Sequence, residues 1–330
     1  MKKLLLSLLV CVSLLSSPAY ALNIFHIFKE LLPQGEQSSG GVPFTGVEEM
    51  PVVDEGVLNV STYNIDGFPH SMGGNTAKDT KKISKILDVL ALDVVLFQEN
   101  FTKNEELNLK LNDATYPYRA NHFSGNLLSF GDGLGRISYY PFDASEGFDR
   151  VQWDACGGTL GQRNPDCLTE KGFTMTRTYI SDDFSIDIYN LHQDAGGDQD
   201  SLDAKRINMR QLAEYINRVS KNHVVIVGGD YNLGWSSNEV HREIVVQFLE
   251  ASGLTFACAV LSGSLDGCND DPDFDKPDHI AFGGNDDFSL DVISLRHLED
   301  FGISNKIDPD GLSDHVPLSA EFHWQRRYPE

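Results

Sequence analysis

From Val57 onward, short apolar runs alternate with longer stretches in which apolar side chains recur at helical spacing. The runs at residues 57–63, 94–98, 137–140, 173–180, 185–191, 224–228, 279–282, 290–295 and 316–322 predict strands. The run 224–228 is continuously apolar, the mark of a strand covered on both faces. Helices are predicted over 76–90, 203–219 and 240–249. In the first, Ile83, Ile86, Leu87 and Leu90 share one face and Lys78, Lys81, Lys82 and Lys85 another, which reads as an ordinary solvated face. In the second, Ile207, Leu212, Tyr215 and Ile216 are expected inward. No repeat and no compositional boundary divides residues 57–330, so a single domain of two packed sheets with helices outside is expected.

The chain ahead of this pattern is different. Lys2 and Lys3, an apolar stretch from Leu4 to Leu15 and the small-residue site Ala19-Tyr20-Ala21 have the layout of a secretory signal peptide, cleaved near Ala21. The stretch is short for a bilayer span, and no later stretch is long and apolar enough for one. Residues 22–56, polar and then acidic, are expected to form a loosely held arm. The mature chain is thus expected to be secreted or periplasmic, and monomeric. Cys11 leaves with the leader. The remaining four cysteines admit three pairings; the short loops favour Cys156–Cys167 and Cys258–Cys268, each contributing roughly 2–3 kcal/mol in the chain-entropy model.

A hydrophobic content of 41% is enough for a real core, and a net charge of −23 argues against general nucleic-acid binding, which needs Lys and Arg to neutralise phosphates. The same acidity is compatible with a bound divalent cation, which lets clustered carboxylates coexist.

Candidate chemistry gathers at strand ends. Asn64 and Asp66 follow the first strand, Glu99 the second, His192 a later one, and Asp230 and Asn232 the most apolar. Asp278 opens a strand, and Ser313-Asp314-His315 precedes the last. Each alone has a plainer explanation: an Asx turn for Asn64 or Asp66, a helix cap for Glu99, a structural role for His192. Together they suit phosphoester hydrolysis. Hard oxygen ligands bind Mg²⁺, and a carboxylate–histidine pair can move a proton. There is no zinc spacing, Walker loop or G-x-S-x-G elbow.

The ordered set Asn64-x-Asp66, Gln98-Glu99, His192, Gly229-Asp230-Tyr231-Asn232, Asp278, Ser313-Asp314-His315 resembles the endonuclease/exonuclease/phosphatase superfamily over roughly residues 57–324. The resemblance implies an α+β fold, a four-layer α/β/β/α sandwich of two mixed sheets flanked by helices, with the site at one rim. It implies Glu99 as principal metal ligand with Asn64, Asp66 and Asp314 nearby. His192 would contact the phosphate, Asp230 would activate water, Asn232 would hold phosphate and Asp230 in register, and His315 would be the general acid/base oriented by Asp278. The implied cofactor is Mg²⁺, with Mn²⁺ or Ca²⁺ as alternatives. Lys171-Gly172-Phe173 and the segment 190–195 are similar to bacterial neutral sphingomyelinase-like phosphodiesterases, so the expected substrate is a phosphoester, in particular a phospholipid headgroup. Two features depart from that branch. The hairpin at 282–288 has an acidic tip where the branch carries exposed aromatics, and Tyr139 stands where it often has Arg. A secreted DNase I-like nuclease and a non-catalytic binding module are the alternatives. The aspartate-rich stretch 266–275 lacks the EF-hand order and reads as a solvated loop.

Overall fold

The computed structural model describes residues 50–70, 73–121, 131–142, 148–157, 166–235, 238–269, 277–302 and 311–328. The expected signal peptide and nearly all of the expected arm lie outside them, as does most of the aspartate-rich stretch.

The strands are β1 (Glu55–Asn64), β2 (Val94–Gln98), β3 (Tyr118–Ala120), β4 (Gly135–Ser138), β5 (Phe148–Gln152), β6 (Gly172–Ser181), β7 (Phe184–His192), β8 (Val224–Asp230), β9 (Thr255–Phe256), β10 (Asp278–Gly283), β11 (Phe288–His297) and β12 (Leu318–Arg326). The helices are α1 (Ala77–Leu90), α2 (Asn104–Asn108), α3 (Gln199–Val219), α4 (Glu239–Ser252) and α5 (Ala257–Ser262). α1 starts where Thr76 caps the main-chain N–H of Asp79, and α3 where Asp198 caps Ser201. None of these helices is long and apolar enough to cross a membrane.

Two six-stranded sheets form, in the orders β11-β12-β1-β2-β4-β3 and β5-β6-β7-β8-β10-β9. Both are mixed: β1/β2 and β7/β8 are parallel and their other neighbours antiparallel. A parallel pair needs a crossover, and α1 and α3 supply one in each sheet. The sheets meet through Leu58, Val60, Leu96, Ile186, Ile188, Ile226, Ile280 and Phe322. α1 covers the outer face of the first sheet with Ile83 and Leu87 on Val95 and Phe97. α3 and α4 cover the second with Met209, Leu212, Ile244 and Phe248 on Leu191, Val225 and Val227. The α/β/β/α sandwich is therefore the architecture.

β8 is buried along its whole length, as its continuous apolar run predicts. One inward assignment is corrected. Ile207 is exposed, because the buried face of α3 runs through Leu202, Lys205, Met209, Leu212 and Ile216, and a residue five positions from Leu212 falls off that face. Gly228 and Gly229 serve the packing between strands. A Cβ on Gly229 would fall 2.2 Å from the main-chain oxygen of Leu191 on the parallel neighbour β7. Two disulfides, Cys156–Cys167 and Cys258–Cys268, are formed, the local pairing expected.

Candidate active site

Parallel strands end together, and that fact builds the site. Asn64 and Gln98 are register partners at the ends of β1 and β2. His192 and Asp230 are partners at the ends of β7 and β8, and Asp278, at the start of antiparallel β10, pairs with Asp230 on its other side. His192, Asp230 and Asp278 thus stand in one row across three strands. The sheets lock against each other here: Asn64 Nδ2 donates to Asp230 Oδ2 at 3.1 Å, and Gln98 Nε2 donates to Asn190 Oδ1 at 2.7 Å.

Beyond three strand ends the backbone turns through the left-handed region, at Asp66 (φ 48°), Glu99 (φ 54°) and Asn232 (φ 49°). Non-glycine residues reach this region at a cost that surrounding structure must hold, and such residues cluster at functional sites. Here the holding is visible. A Cβ on Gly67 would lie 2.3 Å from the Glu99 carbonyl oxygen, so the Asp66 turn packs directly on the Glu99 turn. Thr102 Oγ1 donates to the oxygen of Gly67 at 2.9 Å.

The segment before β12 closes the site. Ser313 Oγ donates to the main-chain oxygen of Asn64 at 2.7 Å and accepts from the N–H of His315 at 3.1 Å. His315 Nδ1 then meets Asp278 Oδ2 at 2.6 Å, and its Nε2 lies 3.9 Å from Asp230 Oδ2. Burial pulls the ring down, but Asp278, Asp230 and Asp314 outweigh it and hold His315 well above 6.5. Burial pushes Asp230 up, and His315, His192, Lys171 and Asn64 more than reverse this, keeping the carboxyl below its ordinary value.

His192 contrasts with His315. Burial and the nearby Lys171 charge bring it down to about 3, so the ring is neutral. Its Nε2 lies 3.5 Å from Asp230 Oδ2 and 3.7 Å from Glu99 Oε1, and neither ring nitrogen has a hydrogen-bond partner. A fully buried imidazole with two unsatisfied nitrogens beside two carboxylates is poised for a group from outside the chain.

Those carboxylates are crowded. Burial, then the neighbouring Asp314 and Glu99 charges, push Asp66 up to about 8. Burial pushes Glu99 up to about 7, with Asp314 and Asp230 adding to it against Lys171 and Asn64. Hard-oxygen groups held together at this electrostatic cost fit a divalent cation, which removes it. Among the described residues, Asp230, Asp278 and His315 also present ligand atoms within 4.8 Å of one another. Two of these are already hydrogen-bonded to each other, so proton transfer suits that trio better than coordination.

All nine predicted site residues converge. The structure adds a supporting layer that strand-end reading passed over. Lys171, almost fully buried, pairs with Asp166 at 2.7 Å and donates to the Gln193 oxygen at 3.2 Å. Asn232 Nδ2 donates to that same oxygen at 3.0 Å, and Lys205 Nζ donates to the Asn232 oxygen at 2.8 Å. Of the supporting residues, Lys171 and Gln193 fall within motifs of the sequence, and Asp166 and Lys205 do not. The 282–288 hairpin is the β10–β11 turn. It lies at the end of β10 remote from Asp278, since Gly283 pairs with Val225 at the opposite end of β8 from Asp230. It therefore does not flank the site.

The model described as Endonuclease/Exonuclease/phosphatase family matches residues 61–315. A sphingomyelinase of Mycobacterium bovis is 28% identical over 280 residues, 82% of this chain and 53% of its own length. The chain thus spans about half the length of the curated relatives it matches. The sphingomyelinase C structure from Streptomyces griseocarneus superposes with a TM-score of 0.57 at 16% identity, covering 81% of this chain and 99% of that one. A doubly substituted Staphylococcus aureus beta toxin with bound magnesium ions gives 0.54 at 16% identity, over 81% and 99%. At these identities the structural likeness is one of fold.

Proposed function

The chain belongs to the endonuclease/exonuclease/phosphatase family, and on that premise we propose that it is a secreted, divalent-metal-dependent phosphodiesterase that cleaves a phospholipid headgroup, sphingomyelin being the leading substrate. The observation that carries the reading is the row His192–Asp230–Asp278 with His315 above it: a neutral imidazole, an ionised carboxylate and a carboxylate–imidazolium pair on one face. The sphingomyelinase relatives support the choice of lipid.

In this reading the nucleophile is water. Asp230, kept ionised, positions it and draws its proton. His192 donates a hydrogen bond to a phosphoryl oxygen, which satisfies a ring nitrogen that otherwise has no partner. Asn232 donates to the same group as charge develops. His315, protonated through its contact with Asp278, passes a proton to the departing oxygen. Glu99, Asp66, Asn64 and Asp314 would hold Mg²⁺, with Mn²⁺ or Ca²⁺ as substitutes. The ion supplies charge to polarise a phosphoryl oxygen. The two disulfides fit an oxidising compartment, and the leader at residues 1–21 supports export.

The rival nuclease would use the same groups but needs a cationic approach for DNA, against a net charge of −23. The deciding experiment incubates the protein with sphingomyelin, phosphatidylcholine, plasmid DNA and a chromogenic phosphodiester, each with Mg²⁺ and with chelator. Mg²⁺-dependent release of the phosphorylated headgroup is expected. Cleavage of DNA alone would replace the lipid reading, and no hydrolysis of any substrate would leave a binding module.

A further inference from the structure

The inner face of α3 is not uniformly apolar. Alongside the apolar positions Leu202, Met209 and Leu212 it buries Ser201, Lys205 and Asn208, none more than 1% exposed. Two of these have obvious local partners. Ser201 Oγ donates to Asp198 Oδ2 at 2.9 Å, and Asn208 Nδ2 donates to the Ala155 oxygen at 3.0 Å and to Gln193 Oε1 at 2.8 Å.

Lys205 is different. Burying an ammonium costs several kcal/mol unless it is paired. Among the described residues Lys205 forms no ion pair, and its hydrogen bond goes to the main-chain oxygen of Asn232, at 2.8 Å. A methionine would fill the same space without that cost. Burial brings the ammonium down to about 8, with Asp230 and Asp194 opposing, so it remains charged at neutral pH.

What Lys205 holds is the strained residue beside Asp230. Asn232 sits at φ 49°, its N–H donates to Asp230 Oδ1 at 2.9 Å, and its carboxamide donates to the Gln193 oxygen. Lys205 is the charged tether of this turn, reaching it from a helix in the outer layer. We propose that Lys205 is a positioning residue for the hydrolysis: by holding the Asn232 carbonyl it fixes the left-handed turn after Asp230, and so aims both the Asn232 carboxamide and the Asp230 carboxylate at the phosphoryl group. The proposal rests on the roles given to Asp230 and Asn232 under the proposed function.

The test is a kinetic double-mutant cycle on the full protein, Lys205→Met with Asn232→Ala, run on whichever substrate the wild type hydrolyses. Lys205→Met should keep its Tm and KM and lose about 10²-fold in kcat, the scale expected for an ångström-sized misplacement of reacting groups. The double variant should lose little beyond Asn232→Ala alone, because the two act as a unit. Lys205→Ala should recover activity when propylammonium is added, a rescue that a packing role would not give. A Lys205→Met kcat within twofold of wild type, losses that multiply in the double variant, or no amine rescue would each overturn the tether. If Lys205→Met does not fold, the amine titration of Lys205→Ala decides alone.

Failure of the functional reading looks different: an Asn232→Ala variant as active as wild type, or a wild type inactive on every phosphodiester. In that event the crystal structure of Lys205→Met still decides the tether. Asn232 leaving the left-handed region supports it, and Asn232 unmoved overturns it.

Discussion

His315 Nδ1 lies 2.6 Å from Asp278 Oδ2, and the two residues come from opposite sheets, Asp278 opening β10 and His315 preceding β12. The contact keeps the imidazole protonated at neutral pH and points its other nitrogen toward Asp230. His315→Ala should therefore lose on the order of 10²–10⁴ in rate, Asp278→Asn part of that, and the double variant little beyond the worse single. The sign of the pH effect follows from the direction of the shift. A raised histidine used as an acid is competent at neutral pH and lost as pH rises through its elevated value. Asp278→Asn should move that alkaline limb to lower pH. Single-turnover rates against pH, corrected for folded fraction, check this; additive losses or an unmoved limb would refute the pairing.

Glu99 remains 18% exposed at the rim and packs no core. Glu99→Ala should fold, lose most activity and bind Mg²⁺ more weakly. Adding Mg²⁺ should raise the Tm of the wild type, since a ligand bound only by the folded state stabilises it, and raise that of the variant less. Equal Mg²⁺ affinities in titration calorimetry would remove Glu99 from the ligand set.

The two disulfides should separate by function. Each closes a short loop worth roughly 2–3 kcal/mol, so reduction should lower the Tm by several degrees. Replacing Cys156 and Cys167 by serine should also lower activity. That bridge joins the segment pinned by Asn208 to the turn carrying Asp166, whose partner Lys171 touches the site. Replacing Cys258 and Cys268, bridged at α5, should cost stability alone. Reactive thiols in the denatured, unreduced protein would contradict the bridges.

The buried Asp166–Lys171 pair gives a stability prediction. Burial pushes Asp166 up, but Lys171 and the Ala195 N–H outweigh it and hold the carboxyl below its ordinary value. A depressed carboxylate stabilises the fold above its unfolded value, and this contribution disappears as pH falls through the folded one. Asp166→Asn strands the ammonium and should cost about 3–5 kcal/mol near neutral pH. The difference from wild type should shrink in strong acid. Urea melts at pH 7 and pH 3 measure this; a constant difference would show that the pair is not the cause.

The regular part of the structure was legible wherever one physical signal dominated. β2 spans residues 94–98 as its apolar run predicts, and α1 begins behind Thr76 because the cap and the periodicity agree. The signal failed where burial and polarity conflict. α3 begins earlier than its apolar rhythm because Ser201, Lys205 and Asn208 face inward as polar groups, and a periodicity count cannot distinguish them from a solvated face. β12 begins at Leu318, not at Val316, since Pro317 has no N–H for the ladder. β3, β5 and β9 are short edge strands, each paired only with the strand that follows it in the chain, and none carries an apolar run that would mark it. The candidate site residues stood out in the sequence because strand ends carry them. Their supports Asp166 and Lys205 did not, because their partners are set only when the layers assemble.

The placement of β12 beside β1 has a consequence for how the protein comes into being. Ser319 Oγ donates to Asn59 Oδ1 across 260 residues, and β12 separates β1 from the edge strand β11. The earliest strand of the first sheet therefore waits, with one edge open, until residues 318–326 have been synthesised. Such long-range pairing is slow to form. His315 lies three positions ahead of β12, so the proposed proton donor reaches its place in the same step that seals the sheet. On the proposed export and hydrolysis, a chain still threading through a membrane pore would have an incomplete first sheet and no His315 at Asp278, and would gain the proposed activity only after its last strand had cleared the pore.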